Sequence, residues 1–186
     1  MAKAKEPKKD PAAPNSRATV SGPARPSASD ESLDDLVADG VDNAALDALR
    51  ERLISGEAVP RLVGMRLGSV HTTADAREVD TTVEATPSVL YDAVVLPPGV
   101  SRALASDGRV VEFLKDQYRH CKPLLVLGDA RLLLEKTGIP EALPSGAADP
   151  GLVIGAENDV NAAIEDFVTA LGKHRHFERE TDPPRV

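Results

Sequence analysis

The chain has 186 residues, of which 41% are hydrophobic and 3% aromatic, and its formal net charge is -8. This length and composition are enough for one soluble domain with a sizeable core of aliphatic side chains. The negative charge and the scarcity of aromatic rings argue against nucleic acid as a main partner, because phosphates are bound by clustered Lys and Arg and single strands stack on aromatic rings.

The sequence indicates a cytoplasmic protein without a membrane partner. No apolar run approaches the roughly 20 residues that a membrane span needs, and the N-terminus lacks the apolar region of a signal peptide. Cys121 is the single cysteine. It cannot form an internal disulfide, and this fits a reducing compartment.

The first 31 residues differ in composition from the rest. They contain five prolines and almost no large apolar side chain. Such a segment cannot bury enough surface to offset the entropy of ordering, so we expect a disordered, Pro-rich tail at 1–31. The alternatives are a tether, an arm that embraces another subunit, or weak nucleic-acid contact. The folded domain is expected at 32–178, followed by a polar tail at 179–186.

The first strand has an unusual sequence. We place it at 33–39, although Asp34 and Asp35 interrupt the continuous apolar run that a buried parallel strand usually has. An amphipathic helix follows, and either Asp42 or Asn43 suits its N-cap. Four apolar side chains are predicted on one face of this helix: Leu46, Leu49, Leu53 and Ile54.

Strands and helices alternate along the rest of the chain. Further strands are predicted at 58–67, 91–96, 122–127 and 152–154, and a small hairpin or an edge excursion at 70–85. Helices are predicted from about 108 up to Pro123, at 130–137, and after Asp159 as N-cap, with a surface loop at 138–150. This alternation is typical of an α/β, flavodoxin-like fold: a doubly wound parallel sheet with helices on both faces.

A ligand crevice in such a sheet lies beyond the carboxyl ends of the strands. The loops at 40–42, 97–101 and 128–131 are expected to meet there. The last of these is a strand–turn–helix elbow, where many α/β enzymes hold a nucleophilic Ser, Cys or Thr. This elbow holds Gly128 and Asp129 instead.

The carboxylate of Asp129 has two interpretations. A short polar side chain suits a turn or a helix N-cap, and this is the interpretation we favour. The alternative is a general acid or an aspartyl nucleophile, alone or paired with Asp42, which also follows a strand.

Cysteine and histidine residues offer little further chemistry. His120 and Lys122 flank Cys121 and can lower the pKa of its thiol, but Cys121 continues the apolar stripe of its helix, so we expect a packed, inert thiol. The histidines are dispersed, and no metal site is expected. They are His71, His120, His174 and His176.

Several motifs together resemble the C-terminal domain of large-subunit haem catalases. They are VADGVD at 37–42, PSVLYDAVVLPPG at 87–99, YRHCKP at 118–123, GDAR at 128–131 and HR at 174–175. The resemblance covers residues from about 36 to 178, in matching order. That catalase domain is similar to class I glutamine-amidotransferase-like proteins of the PfpI-like branch, which implies the flavodoxin-like fold.

The resemblance also bears on catalysis. Active members of the wider family carry an acidic residue after the first strand and a pattern like K-P-x-x-x-x-C-H-G at the elbow. When Lys122 and Pro123 are matched to that pattern, the Cys position falls on Gly128, the His position on Asp129 and the acidic position on Asp42. The resemblance to the catalase branch, which shares the form Gly128, Asp129, Ala130, Arg131, therefore implies no protease, deglycase or amidase activity.

The expected function follows from this resemblance. It implies a non-catalytic domain with a structural, stabilising or chaperone-like role, linked to a haem catalase and so to hydrogen peroxide detoxification in oxidative stress. The expected partners are further copies of the chain or a haem catalase core, and no cofactor is expected on this chain. One alternative is a PfpI-like hydrolase or lyase that acts on a small carbonyl compound through Asp42 and Asp129; another is a small-ligand binding module.

Overall fold

A parallel β-sheet forms the centre of the structure, a computed structural model that describes residues 32–156 and 159–186. The predicted tail at 1–31 lies outside the described residues. The strands, in chain order, are β1 Ser32–Leu36, β2 Val59–Gly64, β3 Gly68–His71, β4 Ala76–Val79, β5 Thr81–Thr82, β6 Ala93–Leu96, β7 Leu124–Leu127 and β8 Leu152–Gly155. β3 and β4 pair with each other as an antiparallel hairpin, and the other six strands make the sheet.

The strand order of the sheet is β5-β2-β1-β6-β7-β8, and all neighbouring strands are parallel. After β1, the chain adds β2 and β5 on one side of the sheet. It then returns to the other side of β1 and adds β6, β7 and β8 in the opposite direction. The order therefore reverses between β1 and β6, which is the switch point where doubly wound sheets form a crevice. The predicted α/β, flavodoxin-like class is confirmed.

Helices cover both faces of the sheet. They are α1 Asn43–Ser55, α2 Ser101–Leu104, α3 Gly108–Arg119, α4 Leu132–Thr137, α5 Val160–Leu171 and α6 Glu178–Thr181. α1 and α5 pack buried side chains such as Leu49 and Phe167 against one face. α2, α3 and α4 pack against the other face, with Leu114 and Leu133 among the buried residues. Burial of these aliphatic faces is the main driving force for the fold.

β1 corrects the predicted extent of the first strand. The expected strand at 33–39 ends at Leu36, and the next two residues lead into a turn. Asp34 and Asp35 do not interrupt it, and the side chains of both are completely buried. They are buried because β1 lies in the middle of the sheet, between β2 and β6, with helices on both faces.

The other predicted strands are confirmed in place, with ends that shift by up to three residues. The hairpin expected at 70–85 forms from β3 and β4. Thr81 and Thr82 join the edge of the main sheet as β5 beside β2, so this segment supplies both a hairpin and an edge strand. The elbow prediction needs a correction too, because Gly128–Arg131 forms a 3-10 turn and the α-helix begins only at Leu132.

Two predicted helix details are wrong. Ile54 is 57% exposed rather than part of the buried face of α1. It directly follows Leu53, and one residue along a helix turns the side chain by about 100 degrees, out of the stripe. Asp159 occupies the N-cap position of α5, but its side chain makes no capping hydrogen bond.

The segment expected as a polar tail packs back onto the domain through α6. Arg179 is buried, and its Nε donates to Oδ2 of Asp149 at 2.7 Å while Nη1 donates to the carbonyl of Lys122 at 2.8 Å. Its guanidinium also lies 4.0 Å from the centre of the Tyr118 ring. These contacts place residues beyond 178 within the fold.

Candidate functional site

The loops that follow β1, β6 and β7 surround a cleft of about 550 Å³ at the carboxyl edge of the sheet. α1 and the first turn of α5 complete its wall. Gly40, Asp42, Gly99 and Asp129 are among the residues that line it. Both acidic residues that the sequence singles out therefore line the same cleft, at the switch point of the sheet.

Two of the loops touch through their backbones. The amide of Asp42 donates to the carbonyl of Pro98 at 2.9 Å. Gly99 has a φ of +89°, and a Cβ atom at this residue would lie 2.1 Å from the carbonyl oxygen of Gly40. A side chain at residue 99 is therefore incompatible with the approach of the two loops.

Asp42 acts as the N-cap of α1. Its Oδ1 accepts a hydrogen bond from the amide of Ala45 at 2.7 Å. This bond satisfies one of the amides that the first turn of a helix leaves unpaired. The sequence left Asp42 and Asn43 open as caps, and the structure assigns the cap to Asp42.

Asp129 joins the elbow to the neighbouring loop. Its Oδ1 accepts from the amide of Gly99 at 2.6 Å, and its Oδ2 accepts from the hydroxyl of Ser101. We call Asp129, Gly99 and Ser101 the elbow clamp. The helix-capping role expected for Asp129 is wrong, because the 3-10 turn turns its carboxylate away from α4, whose N-terminus has no side-chain cap.

The remaining elbow residues have structural contacts. Gly128 has a φ of +56°, in the left-handed region that favours glycine, and Ala130 is fully buried. Arg131 points out of the cleft and pairs with Glu141, and its hydrogen bonds lower the pKa of that carboxyl. Of the four elbow residues, Asp129 alone lines the cleft, and no Ser, Cys or Thr stands at the elbow.

Neither Cys121 nor any histidine of the described residues lines the cleft. Cys121 follows the end of α3, with a φ of +59°, and burial raises the pKa of its thiol. The expected packing of Cys121 is confirmed, although the residue lies beyond the helix and not on it, and the inertness of its thiol stays a prediction. His176 is buried against the carbonyl of Ala170, and burial lowers its pKa. Within residues 32–156 and 159–186, no group of His, Cys, Asp or Glu side chains is arranged to hold a metal ion.

The cleft does not fit a haem. Haem iron is held by His, Cys, Met or Tyr, and the described residues that line the cleft include none of these. Both tyrosines are buried elsewhere: Tyr91 packs against Phe113, and Tyr118 packs beneath Arg179. No step of a haem reaction can be assigned to these residues.

The elbow clamp leads to a first prediction. Asp129→Asn should lower the free energy of unfolding by about 1–3 kcal/mol, because an amide cannot accept both hydrogen bonds as a carboxylate does. Ser101→Ala should lower the free energy of unfolding by less. The loss in the double variant should be smaller than the sum of the two single losses, because both substitutions remove the same Ser101–Asp129 hydrogen bond. Urea unfolding measures all three.

The matched control for this prediction is Arg131→Gln, which removes an exposed ion pair from the same turn. It should change stability little, because exposed ion pairs contribute little. If Asp129→Asn is as mild as Arg131→Gln, the clamp does not hold the elbow.

Comparison with solved structures identifies the class of the fold. A two-domain protein with DJ-1/ThiJ/PfpI-like and ferritin-like domains from Anabaena variabilis superposes with a TM-score of 0.70 at 15% identity, over 76% of this chain and 48% of that one. A ThiJ/PfpI domain protein from Brachyspira murdochii superposes with a TM-score of 0.67 at 14% identity, over 77% and 96%. The chain therefore has a ThiJ/PfpI-like fold.

Sequence comparison identifies the family within that class. Residues 36–181 match the C-terminal domain found in long catalases, and the chain belongs to this family. It is 34% identical to catalase HPII of Pseudomonas aeruginosa over 149 residues, which is 78% of this chain and 20% of that protein. It is also 34% identical to catalase C of Rhizobium meliloti, over 78% of this chain and 20% of that protein. Its identity to catalase-1 of Neurospora crassa is 27%, over 86% of this chain and 25% of that protein.

The chain spans about a fifth to a quarter of the length of these catalases. The part that it matches is their C-terminal domain. None of the helices in the described part of the chain is long and apolar enough to cross a membrane.

Proposed function

We propose that this chain is a non-catalytic domain that binds and stabilises a haem catalase body, and thereby serves hydrogen peroxide removal under oxidative stress. The observation that carries the non-catalytic part of this proposal is the elbow clamp. Each carboxylate oxygen of Asp129 accepts from a donor of the neighbouring loop, Gly99 or Ser101. The part of the fold that holds a nucleophile in many α/β enzymes is here a structural joint.

The second acidic residue supports the same proposal. Asp42 is engaged as the cap of α1. Covalent catalysis needs a nucleophile with a base in hydrogen-bond reach, and Gly128 offers no side chain at the elbow. The relatives in sequence are catalases, which is why the partner we propose is a haem catalase body.

A small-ligand binding module is the second candidate. The cleft of about 550 Å³ lies within the range of roughly 300–1,000 Å³ that small-molecule sites occupy. Enzymatic use of the cleft by Asp42 and Asp129 would need carboxylates free for proton transfer, and both accept structural hydrogen bonds.

Recovery of the tagged chain from the cells in which it occurs tests the proposal. We expect a haem protein to be retained with it, and peroxide turnover to belong to that haem protein. The chain purified alone should turn over no peroxide. The matched control is a tagged Asp42→Asn, Asp129→Asn variant that is still folded, and it should retain the same haem protein. If the purified wild-type chain had an enzymatic activity and this variant lost it, the result would instead favour an enzyme that uses Asp42 and Asp129.

A further inference from the structure

Large apolar side chains are exposed unevenly on the described part of the chain. Seven are exposed, and five of them lie at the end of the sheet where the strands begin. We call these five the basal surface: Ile54, Val59, Val89, Leu90 and Phe177. The other two, Leu67 and Leu132, lie at the opposite end, where β2 and β7 run out.

The hydrogen bonding of the strand starts brings part of the basal surface together. Val59 is the first residue of β2 and pairs in register with Ser32, the first residue of β1. On the other side of β1, the amide of Asp92, two residues beyond Leu90, donates to the carbonyl of Ser32 at 2.7 Å. Residues on both sides of Ser32 therefore present exposed apolar side chains.

The remaining members extend the surface along the same edge. Ile54 lies in the last turn of α1, which descends to the start of β2. Phe177 follows His176, whose amide donates to the carbonyl of Cys121 at 2.7 Å, just before β7. The five side chains thus border the starts of β2, β1, β6 and β7, which neighbour one another in the sheet.

We propose that the basal surface is where this domain docks on the haem catalase body, an inference that rests on the proposed function. In a long catalase this domain is C-terminal, so the body precedes it in the chain. The chain enters the domain at Ser32, in the middle of the basal surface. In a chain of that order, the segment that comes from the body reaches the domain at this end of the sheet, beside the basal surface.

Residues 1–31 of this chain are a poor cover for the basal surface. Met1 and Val20 are the only large aliphatic side chains among them. An apolar surface is stabilised by a partner that supplies apolar area, because the free energy of burial is proportional to the apolar area removed from water. The partner chemistry is therefore an apolar patch on the catalase body.

Two matched pairs of substitutions test the assignment. Leu90→Ser with Phe177→Ser changes basal residues that are 65% and 55% exposed, and Leu67→Ser with Leu132→Ser changes residues at the opposite end that are 69% and 53% exposed. Each tagged variant is recovered from the native cells, and the haem retained per chain is measured. The basal pair should retain roughly tenfold less haem than wild type, since it removes two large apolar side chains whose burial would favour binding. The opposite pair should retain the wild-type amount.

A second basal variant guards against misfolding. Val59→Thr conserves the shape of a strand residue, and thermal unfolding verifies that each variant is folded. The Val59→Thr variant should also retain less haem than wild type. The surface assignment is overturned, while the proposed function stands, if the basal variants retain as much haem as wild type. The same holds if the opposite pair loses as much haem as the basal pair. If wild type retains no haem, the proposed function fails and the assignment fails with it.

Discussion

Asp34→Val should stabilise the domain by about 3 kcal/mol or more at pH 8, because it removes a buried carboxyl that resists ionisation. Asp34 and Asp35 are fully buried in β1, and none of their carboxyl oxygens makes a hydrogen bond of good geometry, although the Tyr91 hydroxyl lies near enough to Asp34 to oppose the rise of its pKa. The cation nearest to Asp35 is Arg50, whose Nη1 lies 3.9 Å away. Valine also suits a strand that is covered on both faces.

The same two carboxyls determine a pH dependence. Burial raises the pKa of Asp34 to about 9, and the neighbouring Asp35 raises it further, against opposing effects of Tyr91 and Lys122. Burial raises the pKa of Asp35 to about 7, despite Arg50. In the unfolded chain both ionise near pH 3.8.

The sign of the effect follows from these pKa values. Where the folded pKa exceeds the unfolded one, the unfolded chain loses its proton first, so stability falls as the pH rises between the two values. Asp34 should therefore lower stability from about pH 4 up to about pH 9, and Asp35 up to about pH 7. Both effects are absent below the unfolded pKa.

Urea unfolding from acidic to alkaline pH measures this dependence. The wild type should lose stability toward alkaline pH, and Asp34→Val should reduce the slope. Glu51→Gln, on the exposed side of α1, is the matched control and should leave the slope unchanged. If the free energy of unfolding of the wild type rose from acidic to alkaline pH in parallel with that of Asp34→Val, the result would contradict the burial of the Asp34 carboxyl.

Arg179→Met should destabilise the domain by about 3–5 kcal/mol, because it leaves the carboxylate of Asp149 buried without its cation. The side chains of Arg179 and Asp149 are 2% and 0% exposed, and their polar atoms lie 2.7 Å apart. The substitution also removes the donor to the carbonyl of Lys122 and the cation above Tyr118. Urea unfolding measures the loss.

The double variant Arg179→Met, Asp149→Asn should recover part of this loss, since no unpaired charge then remains buried. Arg185→Met is the matched control, because Arg185 is exposed in the same C-terminal segment. It should leave stability unchanged. If Arg179→Met were as mild as Arg185→Met, the residues after 178 would not be part of the folded domain.

The fold class was predictable because the buried strands carry their own signal. β6 and β7 are continuous apolar runs, and the helices between the strands have apolar stripes of the right period. β1 was harder, because adjacent aspartates normally indicate a surface. What buries Asp34 and Asp35 is the pairing of β1 with β2 and β6, which local sequence does not encode.

The candidate site was predictable in position and not in detail. Parallel strands bring the loops of Asp42 and Asp129 to one edge, so the shared cleft follows from topology. The elbow clamp joins Asp129 to Gly99 and Ser101, which lie 30 and 28 residues earlier in the chain. The sequence placed Ser101 in a strand-end loop predicted to lie near Asp129. That its hydroxyl donates to the Asp129 carboxylate could be seen only in the folded structure.

The most direct test of the account is the amount of haem recovered with the tagged wild-type chain from its native cells. A domain that binds and stabilises a haem catalase body should retain haem in stoichiometric amount, together with peroxide turnover that the chain alone lacks. Recovery of the chain without haem, or peroxide turnover by the purified chain itself, would contradict the account.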